Sequence, residues 1–193
     1  MPTFTLVAGP NGSGKSTITR LGREAFQDSP VLDPDAIAHS MALTKIGTAS
    51  NFNAGREVLH SAENCISAGQ DFLVETTLSG KSYLRMIAHA KEKGYFVVLI
   101  YVCTLDVSIN MKRIEYRVSQ GGHDVPKEDQ IRRFPRSLAH FKFAFALADE
   151  AVVFDNSAES PVRVAVKDGE GVTLFEPLPE WAYFLRDQAS GRG

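Results

Sequence analysis

The sequence predicts an α/β fold of three layers: a mostly parallel five-stranded sheet, helices on both of its faces, and a small C-terminal hairpin. Three observations carry this. Short apolar, β-branched runs alternate with helically spaced stretches along the 193 residues, the order expected of βαβ units. The run Phe96 to Cys103 is apolar at every position, as a central strand covered from both sides must be. The first apolar run breaks into a glycine-rich turn directly ahead of a helical pattern.

Taken in order, Thr3 to Ala8 reads as the first strand, stopped by Gly9-Pro10, and a helix follows from Ser16 to Phe26. Pro30 to Leu32 is a second short strand ending at Asp33-Pro34-Asp35, where Asp33 suits a helix N-cap and Pro34 its first turn. Asn53 to Ala68 places Ala54, Val58, Leu59, Ala62, Cys65 and Ile66 at helical spacing, and Gly69 stops it. Phe72 to Val74 is the third strand, Lys81 to Lys93 a helix ended by Gly94, and Tyr95 to Cys103 the fourth strand. Helical patterns recur over Val107 to Gln120 and Phe134 to Ala148, separated by the breaker Gly121-Gly122-His123-Asp124-Val125-Pro126. Ala151 to Phe154 is the fifth strand, and Val162 to Val166 with Val172 to Phe175 form the hairpin around Asp168-Gly169. In the last helix Phe134, Phe141, Phe143 and Phe145 read as core, and Trp181 as a residue that closes it. No repeat or linker divides the chain, so residues 1–193 read as one domain.

Composition narrows the function. Twenty-one basic and 23 acidic residues leave a net charge of −2, which disfavours nucleic acid as a partner. No apolar run approaches the length of a membrane span. Cys65 and Cys103 are too few for a disulfide framework, and the N-terminus lacks a secretory pattern, so the expected location is cytoplasmic.

The chemistry is carried by Gly9-Pro10-Asn11-Gly12-Ser13-Gly14-Lys15-Ser16, which satisfies G-x-x-x-x-G-K-[ST] between a strand and a helix. Glycines let successive backbone N–H groups point into one concavity, and the helix start adds partial positive charge. A nucleoside triphosphate is the expected ligand, held by Gly9, Asn11, Gly12, Ser13, Gly14, Lys15, Ser16 and Thr17, with Lys15 on the terminal phosphates and Ser16 ligating Mg2+. The Asn-Lys-x-Asp signature of guanine recognition is absent. Asp35, after the second strand, suits a base that accepts a proton from a substrate hydroxyl. Glu75-Thr76-Thr77 ends the third strand and has two open readings: an acid behind the magnesium ligand, or hydrogen-bonding groups for the acceptor. The segment 112–136 holds seven basic against four acidic side chains and reads as a lid whose arginines neutralise transferring phosphoryl oxygens. His123, in its turn, either contacts nucleotide or caps the loop. Asn156, after the fifth strand, is a candidate contact for the nucleotide base.

The blocks GPNGSGKST, LDPD, VETTLSG, YRVSQGGHDVP, IRRFPRSL and VVFDNS together resemble the zeta toxin family of phosphate-loop kinases, over most of residues 4 to 157. The resemblance implies a five-stranded kinase core using ATP and Mg2+ to phosphorylate a sugar hydroxyl of UDP-N-acetylglucosamine, and a separate antitoxin protein as partner. It puts Asp35 at the general-base position, Glu75 and Thr77 at acceptor-binding positions, and Arg117 on phosphates. The second lid arginine of the longer toxins has no aligned counterpart: His123 falls near its place, and Arg133 or Arg136 is the substitute expected from the next helix. The sequence therefore reads as a small-molecule kinase, beside two rivals: a nucleotide or polynucleotide end kinase, and a non-catalytic ATP-binding module with a protein partner.

Overall fold

A computed structural model describes residues 1–22, 29–33, 37 and 51–190. Five strands run parallel: β1 (Thr3–Ala8), β2 (Val31–Leu32), β3 (Phe72–Thr76), β4 (Phe96–Cys103) and β5 (Glu150–Asp155). From Phe4 onward every residue of β1 is buried, as is every residue of β3. Successive strand side chains point to opposite faces, so both faces of the sheet centre are covered.

The sheet has seven strands rather than the expected five. The C-terminal hairpin, β6 (Val162–Asp168) and β7 (Gly171–Leu174), continues the sheet in the order β2-β3-β1-β4-β5-β6-β7. β6 pairs antiparallel with β5, setting Val153 opposite Ala165. Without β6, the outer edge of β5 would present unpaired backbone N–H and C=O groups. Val164 and Ala165 are buried there.

The helices are α1 (Lys15–Leu21), α2 (Asn51–Ala68), α3 (Ser82–Glu92), α4 (Val107–Ser119), α5 (Lys127–Leu147) and the short α6 (Leu185–Ala189). α5 begins seven residues before the expected Phe134 and continues through Pro135. Glu128 and Asp129 occupy its first turn, where carboxylates meet the positive end of the helix dipole. The Gln130 side chain also reaches back to the Val125 carbonyl at 2.6 Å. Phe141 and Phe145, one turn apart, are buried, whereas Phe143 is 62% exposed. At 100° per residue Phe143 sits about 200° from Phe141, so the expected core role fails for it. Phe134 is partly buried against the core.

Two stacks organise the interior. Phe4 lies on Phe72 with ring centroids 4.5 Å apart, and Tyr101 lies on Phe141 at 3.8 Å. Trp181 closes the second stack as expected, 6.1 Å from both rings, while its indole N–H donates to Asp155 at 2.9 Å. Among the described residues, no helix is long and apolar enough to cross a membrane.

The chain order of the strands reverses around β1, with β3 on one side and β4 on the other. The carboxyl end of β1 is thus a topological switch point, where open α/β sheets place their ligand crevice.

Candidate active site

The glycine-rich turn leaves β1 at this switch point. Gly9 has φ +146°, and a Cβ there would lie 1.9 Å from the Val102 carbonyl oxygen of β4. Only glycine lets the loop cross the neighbouring strand so closely. Gly14 (φ +102°) opens α1, and the Asn156 amide fills the space its side chain would take. That Asn156 Nδ2 donates to the Ser13 carbonyl at 2.8 Å, pinning the loop from the end of β5.

Lys15 is buried, and its ammonium donates to the Pro10 carbonyl at 2.9 Å across the mouth of the loop. Ser16 Oγ donates to Glu75 Oε1 at 2.6 Å, and Thr19 Oγ1 to Glu75 Oε2 at 3.1 Å. β1 and β3 pair with Val7 opposite Glu75, so this acid arrives beside the start of α1 because the strands are neighbours. Glu75 is only 7% exposed, and its two hydroxyl donors offset part of the cost of burying a carboxylate.

A cleft of about 1080 Å³ opens above this floor. It gathers Asn11, Gly12, Gly14, Lys15, Ser16, Thr17, Glu75, Thr77, Arg117, Arg133 and Asn156 from the sequence-derived candidates. Gly9 and the fully buried Ser13, in the same loop, do not line it. Asp35 lies outside the described residues. Asp33, which lines the cleft, accepts the Ile37 amide at its carbonyl at 2.9 Å, the i,i+4 bond expected of a helix-opening residue. Asn156, the candidate base contact, lines the cleft with its amide committed to the loop.

The arginines of segment 112–136 differ in what holds them. Arg117 donates to the His123 carbonyl at 2.7 Å, and a Cβ on Gly122 would come within 2.6 Å of Arg117 Cγ. Arg133 is paired with Asp129 at 2.8 Å, one turn earlier on α5. Arg136 also lines the cleft and has no ion pair among the described residues. Arg113, one turn before Arg117, donates to the Ala158 carbonyl at 3.0 Å, and its NH1 is buried without a partner. Its i,i+4 spacing from Arg117 is the sequence signal that marks it. Arg56 on α2 and Tyr83 on α3 also line the cleft. No motif announces them, because helix packing alone brings them there.

The floor suits a phosphate-bound magnesium ion. Ser16 and Glu75 are adjacent oxygen donors, the type magnesium prefers. Asn11 Oδ1 and Ser13 Oγ are buried in the loop without hydrogen-bond partners. The walls carry Lys15, Arg56, Arg113, Arg117, Arg132, Arg133 and Arg136 against Asp33, Glu75, Asp124 and Glu159, a cationic excess in a chain of net charge −2.

The zeta toxin family model matches residues 1–174. The chain belongs to the zeta toxin family. An uncharacterized protein of Haemophilus influenzae is 37% identical over 120 residues, 62% of this chain and 84% of that protein. Among solved structures, the AvrRxo1-ORF1:-ORF2 complex with ATP aligns over 98% of this chain at a TM-score of 0.75 and 16% identity. This zeta toxin family chain spans 64% of that longer one. The PezAT chromosomal toxin-antitoxin system of Streptococcus pneumoniae aligns over 83% of this chain and 72% of its own, with a TM-score of 0.59 and 20% identity. A putative kinase of Chloroflexus aurantiacus aligns over 70% and 76% respectively, at 0.56 and 18%. Family and solved structures together show an α/β fold of the P-loop kinase-like kind.

Proposed function

We propose that this zeta toxin family chain moves the terminal phosphoryl group of ATP to a hydroxyl of a small-molecule acceptor, UDP-N-acetylglucosamine or a related compound. The observation that carries this reading is the Ser16–Glu75 contact of 2.6 Å beneath the glycine loop, in the same cleft as Lys15 and the lid arginines. Lys15, released from the Pro10 carbonyl, reaches the terminal phosphates. Ser16 Oγ, hydrogen-bonded to Glu75, would hold magnesium, and the ion when bound would supply charge neutralisation at the phosphate oxygens. This geometry favours the magnesium side of the two readings of Glu75, and the acceptor role falls to Thr77, which lines the same cleft. Arg117 and Arg133 or Arg136 stabilise charge on the transferring group. Asp35 takes the acceptor proton as the new oxygen–phosphorus bond forms and the bond to the departing ADP oxygen breaks. The PezAT and AvrRxo1 likenesses, together with the family, support a separate antitoxin protein as partner.

The test is ATP consumption with product mass, in magnesium, against UDP-N-acetylglucosamine, free sugars, nucleosides, amino acids and a 5′-hydroxyl oligonucleotide. A gain of one phosphate on the UDP-sugar is expected, with Asp35→Asn abolishing it while ATP affinity stays within a few-fold. ATP binding without any phosphorylated product overturns the reading in favour of a binding module, and phosphate on the oligonucleotide in favour of an end kinase.

A further inference from the structure

The turn that follows β3 is built in an unusual way. Leu78 has φ +54° and is the one non-glycine residue with positive φ among those described. Its side chain is fully buried in the core. A leucine in this left-handed conformation is strained, and it persists only where its surroundings over-determine it. Both of its backbone polar groups are satisfied by side chains. The Leu78 amide donates to Thr76 Oγ1 at 3.0 Å, and the Leu78 carbonyl accepts from His140 Nδ1–H at 2.9 Å. The bend brings the hydroxyls of Thr77 and Ser79 to 3.0 Å from each other, and both residues line the cleft. In an extended strand, side chains two residues apart stand too far from each other for that contact.

His140 comes from α5, the helix that also carries Arg133 and Arg136. Positions 133, 136 and 140 lie at i, i+3 and i+7, on one face of the helix. A single imidazole therefore ties the arginine face of α5 to the hydroxyl pair across the cleft. We propose that His140 is a positioning residue: through the Leu78 carbonyl it holds the strained turn that presents Thr77 and Ser79 to the acceptor, and sets their distance from the α5 arginines. This rests on the kinase reading for its consequence, whereas the latch itself is independent of it.

The experiment compares wild type, His140→Ala and His140→Asn, whose side-chain N–H can replace Nδ1–H. Amide hydrogen exchange across Thr76 to Gly80 reads the latch without any substrate. In His140→Ala, exchange at Leu78 is expected to rise at least tenfold, and His140→Asn to restore most of the protection. With UDP-N-acetylglucosamine as the probe acceptor, KM for the acceptor is expected to rise at least tenfold in His140→Ala, with the Kd for ATP within twofold of wild type. A merely structural histidine would leave that split absent. Unchanged exchange at Leu78 in His140→Ala overturns the latch, and raised exchange with an unchanged acceptor KM overturns its positioning role. If wild type phosphorylates no acceptor of the panel, the kinase reading falls, while the exchange data still decide the latch.

Discussion

Lys15 and Glu75 show how closely single residues are constrained here. The buried Lys15 ammonium has the Pro10 carbonyl as an acceptor at 2.9 Å, and in the proposed function its removal takes away the charge that meets the phosphates. Lys15→Ala is expected to lower phosphoryl transfer by about 10²–10³-fold, read from product formation at saturating ATP. Glu75 accepts from Ser16 and Thr19, which in the proposed function makes it the acid behind the magnesium ligand. Glu75→Gln keeps the shape and loses the charge, so the magnesium concentration for half-maximal activity should rise roughly 10–100-fold. Unaltered magnesium dependence would place Glu75 on the acceptor instead. Lys15 and Ser16 are legible from spacing alone, because the loop motif is local. Thr19 is not, since its role appears only once β3 lies beside β1.

At the scale of elements, the phosphate loop is held by what crosses it. Gly9 passes the Val102 carbonyl so closely that an added Cβ would overlap backbone, which cannot rotate aside. Gly9→Ala is expected to cost at least about 2 kcal/mol, a fall of roughly 4–8 °C in Tm for a chain of this size. On α5 the stack of Phe141 on Tyr101 joins helix to sheet. Phe141→Ala should cost about 3–5 kcal/mol, measurable by urea unfolding, while Phe143→Ala on the exposed face should stay within about 0.5 kcal/mol. Most strands and the helix α4 were readable from periodicity. The start of α5 was not, because the Gln130 bond to Val125 that marks it depends on the folded turn.

Across the whole molecule the sheet centre is dry enough to shift its own acids. Burial pushes the Cys103 thiol from 9.0 up to about 12 and the Tyr101 phenol well above its usual range. Cys65 and Tyr95 are raised for the same first reason. Each of these groups keeps its proton longer when folded than when unfolded, so stability is complete below the unfolded value and falls as pH rises through the window above it. For Cys103 that window runs from 9.0 to about 12, each unit removing about 1.4 kcal/mol. Tm measured at pH 8, 9, 10 and 11 should fall progressively above pH 9, and less steeply in Cys103→Val. A flat profile would mean that the thiol is solvated.

The layer order, the phosphate loop and its flanks are legible in the residues alone, because strand and helix periodicity and the glycine spacing act over a few positions. So is an arginine-rich segment between two helical patterns. That the hairpin extends the sheet is a consequence of assembly, since the open edge of β5 that receives it does not exist until the parallel strands are in place. The same holds for Glu75 against Ser16, Arg113 against Ala158 and His140 against Leu78, which are 59, 45 and 62 residues apart. Such contacts are created by strand order and helix packing, and no local pattern of residues records them.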